Sequence, residues 1–258
     1  MTNANPQTLA RATGVLFLIT FITSIPALSL FQPVLDDPAG YIAGAGTDNR
    51  IYLGALLELL LIVANIGTAV ALFPVLRRQS EVFTVGYLTA RLVECTLIAI
   101  GLLSVLAVVS LRHSPAGAQN GALAFTLAAI KDWTFLLGPG FIVGLGNGLT
   151  LGYLMYRSGL VPRRMAVLGL IGGPLVCVSG AAVLLGGIQQ DGLVQGAVTI
   201  PEILWELSLG IYLTAKGFKP SALDALMRRS RPEPTRLGAE GTESRREAFP
   251  SSQPALLT

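Results

Sequence analysis

The chain has 258 residues, 52% of them hydrophobic and 13% charged, with a formal charge of +3 and a mean hydropathy of +0.64. A soluble domain carries about 25% charged residues, so the composition excludes an ordinary soluble domain and points to the membrane class. The small positive balance gives no argument for a nucleic-acid partner, because the basic residues gather in loops flanking apolar runs.

Apolar runs near 20 residues predict six membrane spans, at 12–31, 51–76, 83–111, 133–156, 165–186 and 198–215. The first is too long for a typical signal-peptide core and only Arg11 precedes it within ten residues, so it reads as an anchor that stays in place. The second and third exceed what a bilayer needs and should tilt or protrude. Residues 121–130 are apolar but too short to span. They predict an interfacial or re-entrant helix, with Lys131, Asp132 and Trp133 at the water interface.

Loop charges set the orientation. Arg11, Arg77, Arg78, Arg157, Arg163, Arg164 and the segment from Lys216 fall on one side. The other side holds Arg50, Arg112 and Lys131 with Asp36, Asp37, Asp48 and Asp191. This bias predicts both termini cytoplasmic and a multi-pass protein of the inner (plasma) membrane. The fold class expected is all-α: a polytopic bundle of six transmembrane helices over 1–219, followed by a disordered cytoplasmic tail over 220–258. The start of that tail, 221–231, sets Leu223, Leu226 and Met227 beside Arg228, Arg229 and Arg231. It suits either a short helix on anionic lipid headgroups or a solvated tail.

Ionisable residues within spans are costly and face a bundle interior. Glu58, Arg91, Glu94 and Glu206 are of this kind. In the second span Gly54, Glu58, Asn65 and Thr68 share a stripe; in the sixth, Glu202, Glu206, Gly210 and Thr214 do. Arg91 and Glu94, three residues apart, can pair along one helix. Depth counted at about 1.5 Å per residue brings Asn65 and Asn147 near the level of Arg91. Three carboxylates against one arginine would leave an excess negative charge in a low dielectric, so at least one of Glu58 and Glu206 is expected to carry a proton. These residues either fix helix register or bind a polar solute or protons.

Gly140, Gly144, Gly148 and Gly152 recur every four residues in the fourth span, a stripe suited to close helix packing or to a groove beside Asn147. Pro26, Pro74 and Pro174 are candidate kinks. The single histidine, His113, excludes multi-histidine metal sites and reads as a solvated loop residue. No catalytic motif, metal site or cofactor signature occurs, and Cys95 and Cys177 read as packed thiols.

Several segments, in their order, resemble a bacterial membrane family known as domain-of-unknown-function family 4386. They are Arg11-Ala12-Thr13-Gly14; Leu56-Leu57-Glu58-Leu59; Gly86-Tyr87 with Arg91-Leu92-Val93-Glu94; YLMYRSGLVP from Tyr153; and Glu206 followed by LSLGIYLTAKGF. The resemblance runs from about Arg11 to Lys219. It implies a multi-pass inner-membrane protein, supplies no activity, and places the family's recurring membrane charges on Glu58, Arg91, Glu94 and Glu206. The functional expectation is a small transporter or permease-like protein. The alternative is a non-catalytic scaffold or sensor subunit in which the charges are structural. The bilayer is the expected partner, with a second copy or another membrane protein as a further candidate.

Overall fold

The computed structural model describes residues 5–115, 120–190 and 192–229. Helix α1 (Pro6–Leu35) starts at Asn5, whose side chain accepts from the Gln7 amide, with Pro6 in the first turn. A short α2 (Pro38–Ile42) leads to α3 (Asp48–Leu76) and α4 (Glu81–Arg112), the latter capped by Ser80. Helix α5 (Gly121–Leu137) runs into two π-helical stretches, Gly138–Ile142 and Gly144–Leu151, and then α6 (Gly152–Ser158). Helices α7 (Arg163–Leu184), α8 (Leu193–Lys216) and α9 (Pro220–Arg229) follow. No strand occurs among the described residues.

Six helical units are long and apolar enough to cross a membrane. They coincide with the six expected runs, with one difference. Residues 121–130 form no separate interfacial or re-entrant helix; they open a 38-residue unit, Gly121–Ser158, that is the fourth span. The reason is packing. Ala124 and Ala128 are buried and α5 lies along α4 over its length, so the stretch behaves as bundle rather than surface. Within this unit the α-helical ladder gives way after Leu137. Pro139 has no amide hydrogen to donate and its ring crowds the preceding turn. The glycines at 138, 140, 144, 146 and 148 have weak preference for regular α-helix. By contrast, the helices continue through Pro26, Pro74 and Pro174.

Helix α1 packs on α3 and α8, α4 on α3 and α5, and α7 on α8 and the second π stretch. Large apolar side chains such as Ile22, Val63, Leu103, Phe125 and Val178 point outward, as a lipid-facing surface requires. Two apolar clusters close the bundle's ends. One joins Ala10, Leu76, Leu160, Val161, Phe218, Leu223 and Leu226, the other Phe31, Tyr41, Ile51, Val108 and Ala124. The first cluster corrects the boundary of the tail. Residues 220–229 form a helix that seats Leu223 and Leu226 on the bundle; of the expected disordered tail, residues 230–258 lie outside the described residues, as does Asp191.

At the second end Asp48 gathers three donors. The Tyr41 hydroxyl donates to it at 2.6 Å, Arg112 at 3.0 Å, and His113 Nε2 lies 2.6 Å away. His113 is therefore tied to Asp48, although its ring is largely exposed. Arg112 also donates to the carbonyls of Gly44 and Ala45, which pins the turn between α2 and α3.

Candidate functional site

Within the bundle lies a cavity of about 340 Å³, bounded by α1, α3, α4, the fourth span and α8. Three polar groupings face it, and each is set by a local feature of sequence.

The first joins Glu58 of α3 to Lys131 of the fourth span, whose ammonium donates to Glu58 Oε1. Lys131 is only 3% exposed, so it does not mark the water interface as its neighbours Asp132 and Trp133 suggest. Gly101 of α4 makes room for it: a methyl there would lie 2.9 Å from the Lys131 stem. The Phe31 ring covers the ammonium at 5.1 Å, and Gly54 in turn admits that ring. Glu58 Oε2 has no hydrogen-bond partner.

The second lies about two turns from Glu58 along α3, where Asn65 meets α4. Arg91 donates to Glu94 Oε2 at 2.7 Å, and Asn65 of α3 donates to Glu94 Oε1 at 3.2 Å. The Arg91 guanidinium stands 5.5 Å from the Phe17 ring. Both oxygens of Glu94 are thus engaged, in line with the i,i+3 pairing expected.

The third involves α8. Asn147, in the second π stretch, donates to Glu206 Oε1, while its own carbonyl accepts from Trp205 Nε1 at 3.0 Å. One turn away is Glu202, 3% exposed, with no hydrogen-bond partner on either carboxyl oxygen. Gly148 and Gly172 shape its slot: a methyl at either position would stand 2.7 Å from Glu202 Oε2. Gly144 and Gly148 abut the Gly173 backbone, and Gly152 abuts Gly169 and Leu170, so these three pack the fourth span on α7. Gly140 makes only ordinary contacts, within its own unit.

Glu58, Asn65, Arg91, Glu94 and Glu206 line one cavity, and Asn147 reaches it through Glu206. Sequence reasoning passed over two lining residues. Asp132 and Trp133 place Lys131 at the interface by sequence alone, and Glu202 stands on the α8 stripe with Glu206. The set is then four carboxyls against two cations, two negative charges in excess if all are ionised. Thr20, Ser24, Thr134 and Thr199 add hydroxyls, and Ile25, Leu28, Phe135 and Ile203 add apolar wall. Among the described residues no three of His, Cys, Asp and Glu come together as a metal cage. Cys95 and Cys177 are free thiols, each placed to donate to a carbonyl of a neighbouring helix.

Six apolar helices around a charged cavity define the class: a multi-pass membrane protein with a polar interior. Residues 12–217 match the model for Domain of unknown function (DUF4386), and the chain belongs to that family. No curated protein matches the chain, and no solved structure does.

Proposed function

We propose that the protein is a small transporter of the permease type, exchanging protons for a small cationic solute at the cavity carboxyls. The observation that carries this is Glu202: a buried carboxyl without a partner, opening on a 340 Å³ cavity beside Glu206. A carboxylate held in low dielectric must find a positive charge or a proton. Lys131 and Arg91 are already engaged by Glu58 and Glu94, so Glu202 and Glu206 are the groups left to alternate between proton and solute. Asn65 and Asn147 orient the carboxyls beside them. The arginine-rich loops support a plasma (inner) membrane location with both termini in the cytoplasm.

The test uses proteoliposomes with an acid interior and labelled tetraethylammonium outside, with internal pH followed by a trapped dye. The expected result is gradient-driven uptake with proton release, abolished in Glu202→Gln and Glu206→Gln while both variants remain folded. Wild-type protein that moves neither the cation nor protons removes the reading.

The completed pairs Glu58–Lys131 and Arg91–Glu94 favour a second reading, a scaffold or sensor subunit tied together by buried charge. A stoichiometric membrane partner recovered with a protein inactive in flux would select it.

A further inference from the structure

A second cavity, about 400 Å³, opens at the end of the bundle where α9 sits. Four arginines from four segments line it: Arg78 after α3, Arg157 at the end of α6, Arg163 at the start of α7 and Arg229 at the end of α9. Among the described residues no carboxylate is in its wall. Among the described residues, Arg157 donates to the Tyr153 hydroxyl at 2.6 Å and Arg163 stacks 5.5 Å from the Tyr156 ring, and neither meets an acid. Guanidinium groups gathered about one space create a positive potential that favours an anion there.

Two further observations point inward to such a ligand. Both amide atoms of the Gln79 side chain are buried against this cavity without any hydrogen-bond partner, and a buried polar atom left so costs about 1–3 kcal/mol. The α7 terminus at Arg163 begins after Pro162, which supplies no capping side chain, so its first amides remain available to an acceptor. Ser158 adds a hydroxyl to the wall.

We propose that this cavity is a binding site for a phosphoryl group, held by Arg78, Arg157, Arg163 and Arg229 with Gln79 donating its amide. Guanidinium forks match the geometry of phosphate oxygens better than other cations do. The site joins α9 to the ends of three other segments, so its ligand clamps α9 on the bundle. The phosphoryl group reaches the site either from an anionic lipid in the adjacent leaflet or from a soluble phosphate.

Native mass spectrometry of protein released from nanodiscs tests this, with phosphatidylglycerol in phosphatidylcholine as the lipid probe. Inorganic phosphate titrated into pure phosphatidylcholine discs, followed by calorimetry, is the soluble probe. Wild type is expected to retain one phosphatidylglycerol, or to bind one phosphate, and the arm that succeeds identifies the source. Arg157→Gln with Arg163→Gln should weaken that binding at least tenfold at an unchanged melting temperature, and Gln79→Leu should weaken it severalfold. Arg11→Gln with Arg77→Gln removes the same charge from the same face outside the cavity and should leave binding intact. Absence of binding in both arms, or equal loss in the Arg11/Arg77 control, overturns the proposal.

Discussion

Lys131→Met is the sharpest test of how the interior is held. The lysine and Glu58 are 3% and 7% exposed, and the remaining Glu58 oxygen has no other partner. Deleting the ammonium strands a carboxylate among Phe31, Gly101 and apolar helix surface. Stranding one partner of a buried pair costs about 3–5 kcal/mol, and lost contact with the Phe31 ring adds about 1 kcal/mol. Replacing both charges, as in Lys131→Met with Glu58→Leu, removes the unpaired charge and should be near neutral or stabilising. Reversible unfolding in mixed micelles, followed by circular dichroism, gives the four free energies of the cycle. The expected pattern is a large loss in the single variant and recovery in the double. A single-variant loss under about 1 kcal/mol, or losses that simply add, would refute the buried pair.

Four other outcomes follow from single positions. Gly148→Ala drives a methyl against Glu202 Oε2 and the Gly173 backbone and should cost about 1–3 kcal/mol in the same assay. Gly86→Ala, with open space around it, should instead gain roughly 0.5–1 kcal/mol. Trp205→Phe removes the bond to the Asn147 carbonyl and should cost about 1–3 kcal/mol, part of it lost packing. Burial, then the hydrogen bond to Asp48, pushes the Tyr41 phenol up to about 12. A raised value means that its contribution to stability is whole below the ordinary phenol range near about 10 and is lost as pH climbs toward 12. Phenolate absorbance of wild type against Tyr41→Phe checks this; a Tyr41 that ionises near 10 refutes it.

The spans were legible because their signal is summed over 20 or more residues, and no local detail can offset so much apolar surface. The Arg91–Glu94 pair was legible because i,i+3 spacing on a helix fixes geometry without reference to any neighbour. Lys131 was not. Its neighbours Asp132 and Trp133 imitate an interface, and what buries it is Gly101, thirty residues earlier on another helix. The membership of 121–130 in the fourth span was illegible for the same reason, since a ten-residue run is weighed alone in sequence and as part of a 38-residue unit in the fold. Glu202 stood on the correct face by its four-residue repeat with Glu206. Its isolation could not be read, because a missing partner is a property of the surrounding helices. His113 likewise meets an aspartate 65 residues away.

The glycines beside Glu202 bear on what the interior is for. The fourth span, α7 and α8 meet backbone to backbone at Gly148, Gly172 and Gly173, an approach that only glycine allows. The same close approach sets the Glu202 carboxyl, which no neighbour satisfies, against Gly148 and Gly172. That carboxyl is the unfavourable element, while the adjacent Arg91–Glu94 and Glu58–Lys131 pairs each balance their own charge. A structural tie accounts for the pairs, since each neutralises itself. It does not account for Glu202, which weakens the fold where it stands. Residues kept at such a cost belong to sites where a ligand or proton supplies the missing partner. Glu202→Gln therefore separates the two roles within one molecule. It strands no charge, so it should cost far less than Lys131→Met in the unfolding assay, and it should abolish proton-coupled uptake in the flux assay. A loss of stability comparable to that of Lys131→Met would place Glu202 among the ties and leave the cavity without a working carboxyl.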